Sequence, residues 1–495
     1  MIKDYLEEQM LYNFGFTPTN QQAEVVKLLS EFILSPMADS VFVLKGFAGT
    51  GKTSLVSALV KTMEQIRQDS TVLIAPTGRA AKVFSHYSER QAYTVHKRIY
   101  RQKSIDKDSL FELNYNMKSN LLFICDEASM ISNDSYLASS MYGTGRLLDD
   151  MIHFIYGGKG CRLILLGDTA QLPPVGDGES PALQEDVLRG YGLDVTTYTL
   201  TQVVRQADSS GILWNATHLR QLINDEDIFD LPKIRFANFQ DVYNIPGNEL
   251  IEALEQCYHH DGEDDTIVIT RSNKRAVVYN NGIRNQILWR DSELASGDML
   301  MVAKNNYFWT DTLNQEMIEE ARKDGIDIKN APQTPFDFIA NGDTVLVKRV
   351  RNEREFYGLR FADCELVFPD YDDYEMEVTV LLDTLQAEAP SLTQEQQDKL
   401  FNGVYEDYFD LKTKPEKLKA MKKDPLFNAL QIKYAYAITC HKAQGGQWSN
   451  VFIDQGYMTE DMLGPDYFRW LYTAITRATK NVYFVNWKEE QTLNE

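Results

Sequence analysis

Of the 495 residues, 43% are hydrophobic and 25% are charged, and the formal net charge is −22 at pH 7. That balance is ordinary for a globular protein of three or four domains, each able to bury a core, while the acidity weighs against strong passive affinity for nucleic acid without excluding a local basic channel. There is no apolar run of about eighteen residues to span a membrane, the opening Met1-Ile2-Lys3-Asp4-Tyr5-Leu6-Glu7-Glu8 is too acidic and mixed for a signal peptide, and five scattered cysteines at 125, 161, 257, 364 and 440 lack a C-x-x-C pair, which argues against disulfides or structural zinc and for a cytoplasmic location.

Residues 1 to about 30 show helical spacing, as in Ala23-Glu24-Val25-Val26-Lys27-Leu28-Leu29. Ser40-Val41-Phe42-Val43-Leu44 suits a buried parallel strand, and Ser54-Leu55-Val56-Ser57-Ala58-Leu59-Val60 suits a helix. Between them Gly46-Phe47-Ala48-Gly49-Thr50-Gly51-Lys52-Thr53 is a complete G-x-x-x-x-G-K-[ST] phosphate loop in the strand–loop–helix context it requires. Its glycines let backbone N–H groups wrap a phosphate, and the helix N-terminus adds its dipole. Gly46, Ala48, Gly49, Thr50, Gly51, Lys52, Thr53 and Ser54 are therefore the expected ATP-binding residues, with Lys52 on the β- and γ-phosphates and Thr53 on Mg²⁺. Residues 97–120 are more polar and read as a small excursion. Leu121-Leu122-Phe123-Ile124-Cys125 is a second buried strand, ending in Asp126 and Glu127. Asp126 is the expected metal-holding acid, and Glu127 the one that polarises the attacking water. A third strand, Cys161 to Leu166, leads into Gly167-Asp168-Thr169-Ala170-Gln171-Leu172-Pro173-Pro174-Val175. There the Gln171 amide is placed to sense a γ-phosphate. From 40 to 190 strands and helices alternate, which reads as a parallel sheet covered by helices.

A second α/β pattern starts near 196, with a strand at Asp265-Thr266-Ile267-Val268-Ile269-Thr270 and a helix through Ala276-Val277-Val278-Tyr279. From about 298 to 425 the composition turns aromatic and acidic. Thr344 to Lys348 and Tyr374 to Leu382 read as barrel or meander strands, and 392–424 as charged helix. The α/β character returns at Tyr434-Ala435-Tyr436-Ala437-Ile438-Thr439 and at Asn481-Val482-Tyr483-Phe484-Val485. No fixed-period repeat or low-complexity segment is present.

Two late stretches complete the set: His441-Lys442-Ala443-Gln444-Gly445-Gly446 and Leu471-Tyr472-Thr473-Ala474-Ile475-Thr476-Arg477-Ala478. From Gln21 to Arg477, in order, the motifs resemble those of superfamily 1 helicases of the subclass that includes RecD-like and Dda-like enzymes. The resemblance implies an α/β fold with two RecA-like P-loop domains built on parallel sheets, a small pin-bearing excursion in the first and a β-barrel-like insertion in the second. The corresponding ranges are 1–190 for domain 1A with its pin excursion at 97–120, 191–300 for the first part of domain 2A, 301–425 for the inserted small barrel and helical arm, and 426–495 for the rest of 2A.

The resemblance also carries roles. Gln21 resembles the adenine-reading glutamine, with Gln22 beside it as the other possible register. Arg205, in Val203-Val204-Arg205-Gln206, and Arg477 resemble the two γ-phosphate arginines, and Gly445 joins the ATP-binding set. For DNA, Pro76, Thr77, Gly78 and Arg79 resemble one strand-contacting motif and Thr94 and His96 the next. Thr270, Asn273 and Lys274, then Thr439, His441, Lys442 and Gln444, resemble contacts from the second domain. Phe111 is the candidate separating pin. Gly446-Gln447 departs from relatives that carry a serine or an acid there. Read without the resemblance, Thr77 and Thr94 are equally helix caps, His96 and His441 packing side chains, Arg205 a surface ion pair and Phe111 a core residue.

The implied function is an ATP-dependent 5′-to-3′ DNA helicase, with ATP and Mg²⁺ as cofactors, single-stranded DNA and duplex junctions as partners, no membrane role, and a monomeric state. The alternative within the family is a single-strand translocase that displaces proteins without processive unwinding. A small-molecule kinase would lack the Gln171 and Arg477 motifs. A DNA-binding module with a dead ATPase site is opposed by intact Lys52, Thr53, Asp126 and Glu127.

Overall fold

The structure, a computed structural model, describes residues 2–67, 70–102, 111–133, 143–204, 210–327, 331–336, 338–459 and 462–493. The chain forms two compact units that interleave in sequence. The first comprises Met1–Asn244, Ala443–Gln447 and Tyr457–Glu495, the second Ile245–Lys442 and Trp448–Gly456.

The first unit opens with α1 (Ile2–Phe14) and α2 (Asn20–Leu34). Thr19 starts α2 through a capping box in which its hydroxyl accepts from Gln22 N (3.2 Å) and its own N–H donates to Gln22 Oε1 (3.0 Å). Then come β1 (Ser40–Gly46), α3 (Lys52–Ile66), β2 (Thr71–Ala75), α4 (Gly78–Ser88), β3 (Ala92–Thr94), α5 (Val95–Ile99), β4 (Tyr100–Gln102), β5 (Phe111–Leu113), β6 (Leu122–Cys125), α6 (Leu147–Gly157), β7 (Arg162–Gly167), α7 (Glu185–Gly190), β8 (Asp194–Leu200) and α8 (Gly211–Asn224). Six strands make one sheet in the order β3-β2-β6-β7-β1-β8, all neighbours parallel. Successive strand residues point to opposite faces. Phe42 and Leu44 of β1, with Ile124 and Ile164, accordingly join Val25, Leu29, Leu55, Leu59 and Phe84 in one core under α1 to α4. Phe123 points the other way and meets Phe154 of α6 edge-on at 6.1 Å. The excursion is short: β4 and β5 pair antiparallel, with Gln102 opposite Phe111. Residues 103–110 and the Phe111 side chain lie outside the described residues.

After β9 (Ile234–Arg235) and β10 (Val242–Ile245), the second unit carries α9 (Leu250–Asp261), β11 (Thr266–Thr270), α10 (Asn273–Gln286), β12 (Met299–Val302), α11 (Phe308–Lys323), β13 (Thr344–Phe356), β14 (Leu359–Phe368), β15 (Tyr374–Leu381), α12 (Gln394–Asp407), α13 (Lys414–Met421), β16 (Leu430–Tyr434), β17 (Ala437–Thr439), α14 (Cys440–Ala443) and β18 (Trp448–Asp454). β11 pairs in parallel with both β17 and β18. Strands β12 to β16 close a barrel. Leu359, Phe361 and Leu381 of its wall pack with Leu392, Leu400, Val404 and Met421, which seats the two-helix arm of α12 and α13. Arg284 of α10 forks onto buried Asp298 with two contacts of 2.9 Å and lies 4.4 Å from the Tyr434 ring, fixing α10 at the barrel's base. The chain ends with α15 (Pro465–Ile475), β19 (Ala478–Val485) and β20 (Thr492–Leu493). α15 packs on α8 in the first unit.

Two expectations are corrected. The boundary at 190 falls too early, because β8 pairs with β1 over seven positions, from Ser40–Asp194 to Gly46–Leu200, and completes the first sheet. The insertion does not end at 425, because β16 supplies the barrel's closing strand, antiparallel to β12 and parallel to β15.

Candidate functional site

The phosphate loop leaves β1 at Gly46 and enters α3 at Lys52. Two of its glycines are required by backbone and space. Gly49 (φ +77°) and Gly51 (φ +83°) take left-handed conformations, and a Cβ on Gly51 would stand 2.6 Å from Gln22 Nε2. That same Nε2 donates to Thr50 O (3.0 Å), so Gln22, buried, supports the loop from beneath. Gln21 instead accepts from Thr201 N and Gln202 N (2.9 Å each) and donates to the Thr201 hydroxyl (2.8 Å). The two glutamines thus have separate duties, one to the loop and one to the chain after β8. Thr50 donates to Phe47 O (2.8 Å), and Lys52 Nζ donates to the carbonyls of Gly46 and Phe47. Thr53 stands in the first turn of α3, with Ser54 exposed after it.

Asp126 and Glu127 follow β6. Glu127 holds a left-handed backbone (φ +52°), a strained setting for a side chain with a Cβ, and its N–H donates to Asp126 Oδ1 (2.8 Å). Burial first, and the Glu127 charge second, push the Asp126 carboxyl up to about 7, with Lys52 pulling the other way. Gln171 bridges the next two groups. With its amide nitrogen turned to the carboxylate, it donates to Glu127 Oε2 (3.3 Å) and accepts from Arg477 (3.3 Å); the opposite orientation would set oxygen against oxygen. Arg477, 4% exposed, is held by Thr473 O (3.1 Å), Gly446 O (3.3 Å) and Thr476 Oγ1 (3.2 Å), and its guanidinium stands 3.9 Å from Glu127 Oε1. A cavity of about 440 Å³ opens beside Asp168 and Gln171, with Lys45, Ser129, Glu179 and Arg469 in its lining. Arg205 lies outside the described residues.

Sequence reasoning passed over two residues of α15. Tyr472, fully buried, accepts from Ala48 N (3.0 Å) and donates to Asp168 Oδ2 (2.7 Å). Thr473 accepts from Leu172 N (2.9 Å). Their place in the same Leu471-to-Ala478 motif as Arg477 was the available signal.

Several expected DNA residues have structural work of their own. Thr77 caps α4 by accepting from Ala80 N, and Thr94 caps α5 by accepting from Lys97 N. Burial drives the His96 pKa down to about 4, so the ring is neutral at pH 7. Thr270 is buried and donates to Ser272 O (3.0 Å) and Ile438 O (3.4 Å). Gln444 is buried and donates to Leu172 O (2.7 Å). Gly445 (φ +74°), expected at the nucleotide, lies against α4 instead: a Cβ there would stand 2.8 Å from the Ala80 methyl and 3.2 Å from Thr77 Oγ1. Pro76, Gly78 and Arg79 are half-buried in the loop and first turn of α4, His441 is exposed, and Lys274 is exposed 3.9 Å from Glu388. Asn273, Thr439 and Lys442 come together around a small cavity of about 20 Å³ that Lys433 also lines. Burial lowers the Lys442 pKa from its ordinary value.

Residues 18–228 match the AAA domain family, and residues 434–485 match the UvrD-like helicase C-terminal domain. The ATP-dependent DNA helicase dda of Enterobacteria phage T4 is 23% identical over 460 residues, which is 89% of this chain and 93% of that protein. The ATP-dependent RecD2 DNA helicase of Deinococcus radiodurans is 32% identical over 172 residues, 34% of this chain and 20% of that longer protein. The crystal structure of Pif1 helicase from Candida albicans covers 97% of both chains at 15% identity with a TM-score of 0.44. Among the described residues no helix is long and apolar enough to cross a membrane.

Proposed function

We propose, for a chain that belongs to the superfamily 1 helicases of the RecD-like and Dda-like subclass and hydrolyses ATP as a DNA helicase, that it travels 5′ to 3′ on single-stranded DNA and parts duplexes at junctions. The observation that supports the motor reading is the hydrogen-bonded cluster of Glu127, Gln171 and Arg477 in the unit that holds the phosphate loop, while the direction of travel rests on the resemblance. A nucleotide kinase needs the loop and the acids, but not a glutamine bridging the acid to an arginine carried from a distant part of the sequence.

The roles follow from the chemistry of each group. Lys52 leaves the loop carbonyls for the β- and γ-phosphate oxygens. Glu127 takes the proton of the attacking water, and Gln171 orients that water while holding Arg477 in register. Arg477, and Arg205 by its motif, meet the charge that develops on the γ-phosphoryl group. Thr53 and Asp126 fit a divalent cation, because a buried carboxyl pushed up to about 7 is stabilised in its charged form by one. Mg²⁺ held there would screen the phosphate oxygens against one another.

DNA contacts fall to the exposed or half-exposed members of the motifs: Pro76, Thr77, Gly78, Arg79, Thr94, His96, Asn273, Lys274, Thr439, His441 and Lys442. Hydroxyls, amides and backbone groups that touch phosphates bind without reading sequence, as a translocating enzyme requires. Each turnover tightens one group of contacts while releasing the other. The enzyme acts as a cytoplasmic monomer in this reading. Strand displacement on duplexes with a 5′ tail, a 3′ tail or an RNA tail tests it. Unwinding of the 5′-tailed DNA alone is expected, and equal unwinding of the 3′-tailed substrate overturns the direction.

A further inference from the structure

Asp168 and Leu172 bracket the Gln171 loop, and both are fixed by α15. The Tyr472 hydroxyl donates to Asp168 Oδ2 (2.7 Å) and accepts from Ala48 N, the third residue of the phosphate loop (3.0 Å). The Thr473 hydroxyl accepts from Leu172 N (2.9 Å), and Leu172 O accepts from Gln444 Nε2 (2.7 Å). Asp168 Oδ1 further accepts from Ala170 N (3.0 Å). The backbone on both sides of Gln171 is thereby pinned to the one helix that ends at Ile475, two residues before Arg477. These bonds are sheltered from water. Tyr472, Thr473, Asp168 and Gln444 are 1%, 0%, 2% and 5% exposed. In such a site a hydrogen bond is electrostatically stronger than in water and a lost partner is not replaced.

A helix is rigid on the scale of these contacts. α15 cannot shift without moving Ala48 at one end of the array and Leu172 at the other. Gln444, which closes the array, lies three residues after His441 and two after Lys442, both among the proposed DNA contacts. We infer that Tyr472 and Thr473 are positioning residues that gear occupation of the DNA track to the phosphate loop, setting the Gln171 amide between Glu127 and Arg477 only when α15 is seated. The inference rests on the helicase reading above. Neither side chain touches the reacting atoms, and both act through Ala48, Asp168 and Leu172.

The test uses the full chain with ATP, with and without a mixed-sequence single-stranded oligonucleotide, and measures kcat, KM and the thermal midpoint. Tyr472→Phe keeps the ring and removes both hydrogen bonds; Thr473→Val keeps the shape and removes one. Each variant is expected to lower stimulated kcat by about tenfold, to keep KM for ATP within about twofold, and to lower the ratio of stimulated to unstimulated turnover. If wild-type turnover ignores the oligonucleotide, the helicase reading itself falls. If wild type is stimulated and both variants keep its ratio, the gearing role falls while that reading stands. Parallel loss of thermal midpoint, KM and both turnover rates would mark Tyr472 as scaffold and also overturn the inference. Should Tyr472→Phe fail to fold, Thr473→Val decides by the same ratio.

Discussion

Replacing Arg477 with alanine separates what the guanidinium does for the fold from what it does for chemistry. In the structure it donates to Thr473 O, Gly446 O and Thr476 Oγ1, pairs with the Gln171 oxygen, and stands 3.9 Å from Glu127 Oε1. Its loss takes a donor from Gly446 O and the Gln171 amide oxygen, while Thr473 O keeps the Thr476 hydroxyl (3.0 Å), in a site only 4% exposed, at a cost of about 1–3 kcal/mol in stability. The catalytic loss is larger. An arginine that meets charge developing on a γ-phosphoryl group contributes about 10³ in turnover, equivalent to about 4 kcal/mol. The predicted result is therefore a protein that unfolds at a moderately lower urea midpoint but whose DNA-stimulated kcat falls about a thousandfold. Arg477→Lys keeps the charge and loses the planar fork, and is expected to recover no more than about tenfold of that loss. Steady-state ATPase at saturating oligonucleotide, beside urea denaturation, reads both terms. A kcat within about tenfold of wild type, or a raised KM at unchanged kcat, would refute the role.

Lys52→Ala is expected to abolish ATPase and unwinding while circular dichroism and the thermal midpoint stay near wild type; persistent DNA-stimulated turnover would contradict the phosphate role. Phe111→Ala should spare DNA-stimulated ATPase and slow duplex separation, and unchanged unwinding would assign the pin elsewhere. Asp343, 2% exposed at the barrel, accepts from Ala340 N (2.7 Å) and is pushed up to about 7, chiefly by burial. A carboxyl with a raised folded pKa contributes most below its unfolded value near 3.8, and that contribution is lost as pH rises through 7. Asp343→Asn, which keeps the acceptor, should therefore gain on wild type by up to about 4 kcal/mol between pH 4 and 8 in urea midpoints; a flat difference would show that the carboxyl titrates normally.

The strands and turns that frame the phosphate-loop motif were legible because their signals are local. Ser40 to Thr53, Leu121 to Glu127 and Cys161 to Leu166 each carry strand and turn within a few residues, and β1, β6 and β7 stand where those runs placed them. Long-range pairing was not legible. β8 looked like the start of a new domain because nothing in Asp194 to Leu200 reveals that its partner is β1. β14 was passed over because its alternation slips by one place where Phe361 and Ala362 are both buried, and because Asp363 and Glu365 flank the buried Cys364. Tyr472 was given no role of its own in the Leu471-to-Ala478 motif, since a sequence does not show which buried hydroxyl finds a backbone N–H. The cap roles of Thr77 and Thr94 were visible from residue type and place.

The passage from β16 to β17 spans only Ala435 and Tyr436, and the Tyr436 hydroxyl accepts from Met299 N (2.9 Å) and from Arg290 and donates to Asp298 (3.3 Å). A barrel strand and a strand of the parallel layer are thus soldered end to end, with a phenol bolting the seam. No slack remains there for the small barrel to swing as an appendage. Force applied to its wall passes directly into the edge that presents Thr439 and Lys442, and the barrel behaves as a lever arm of that edge.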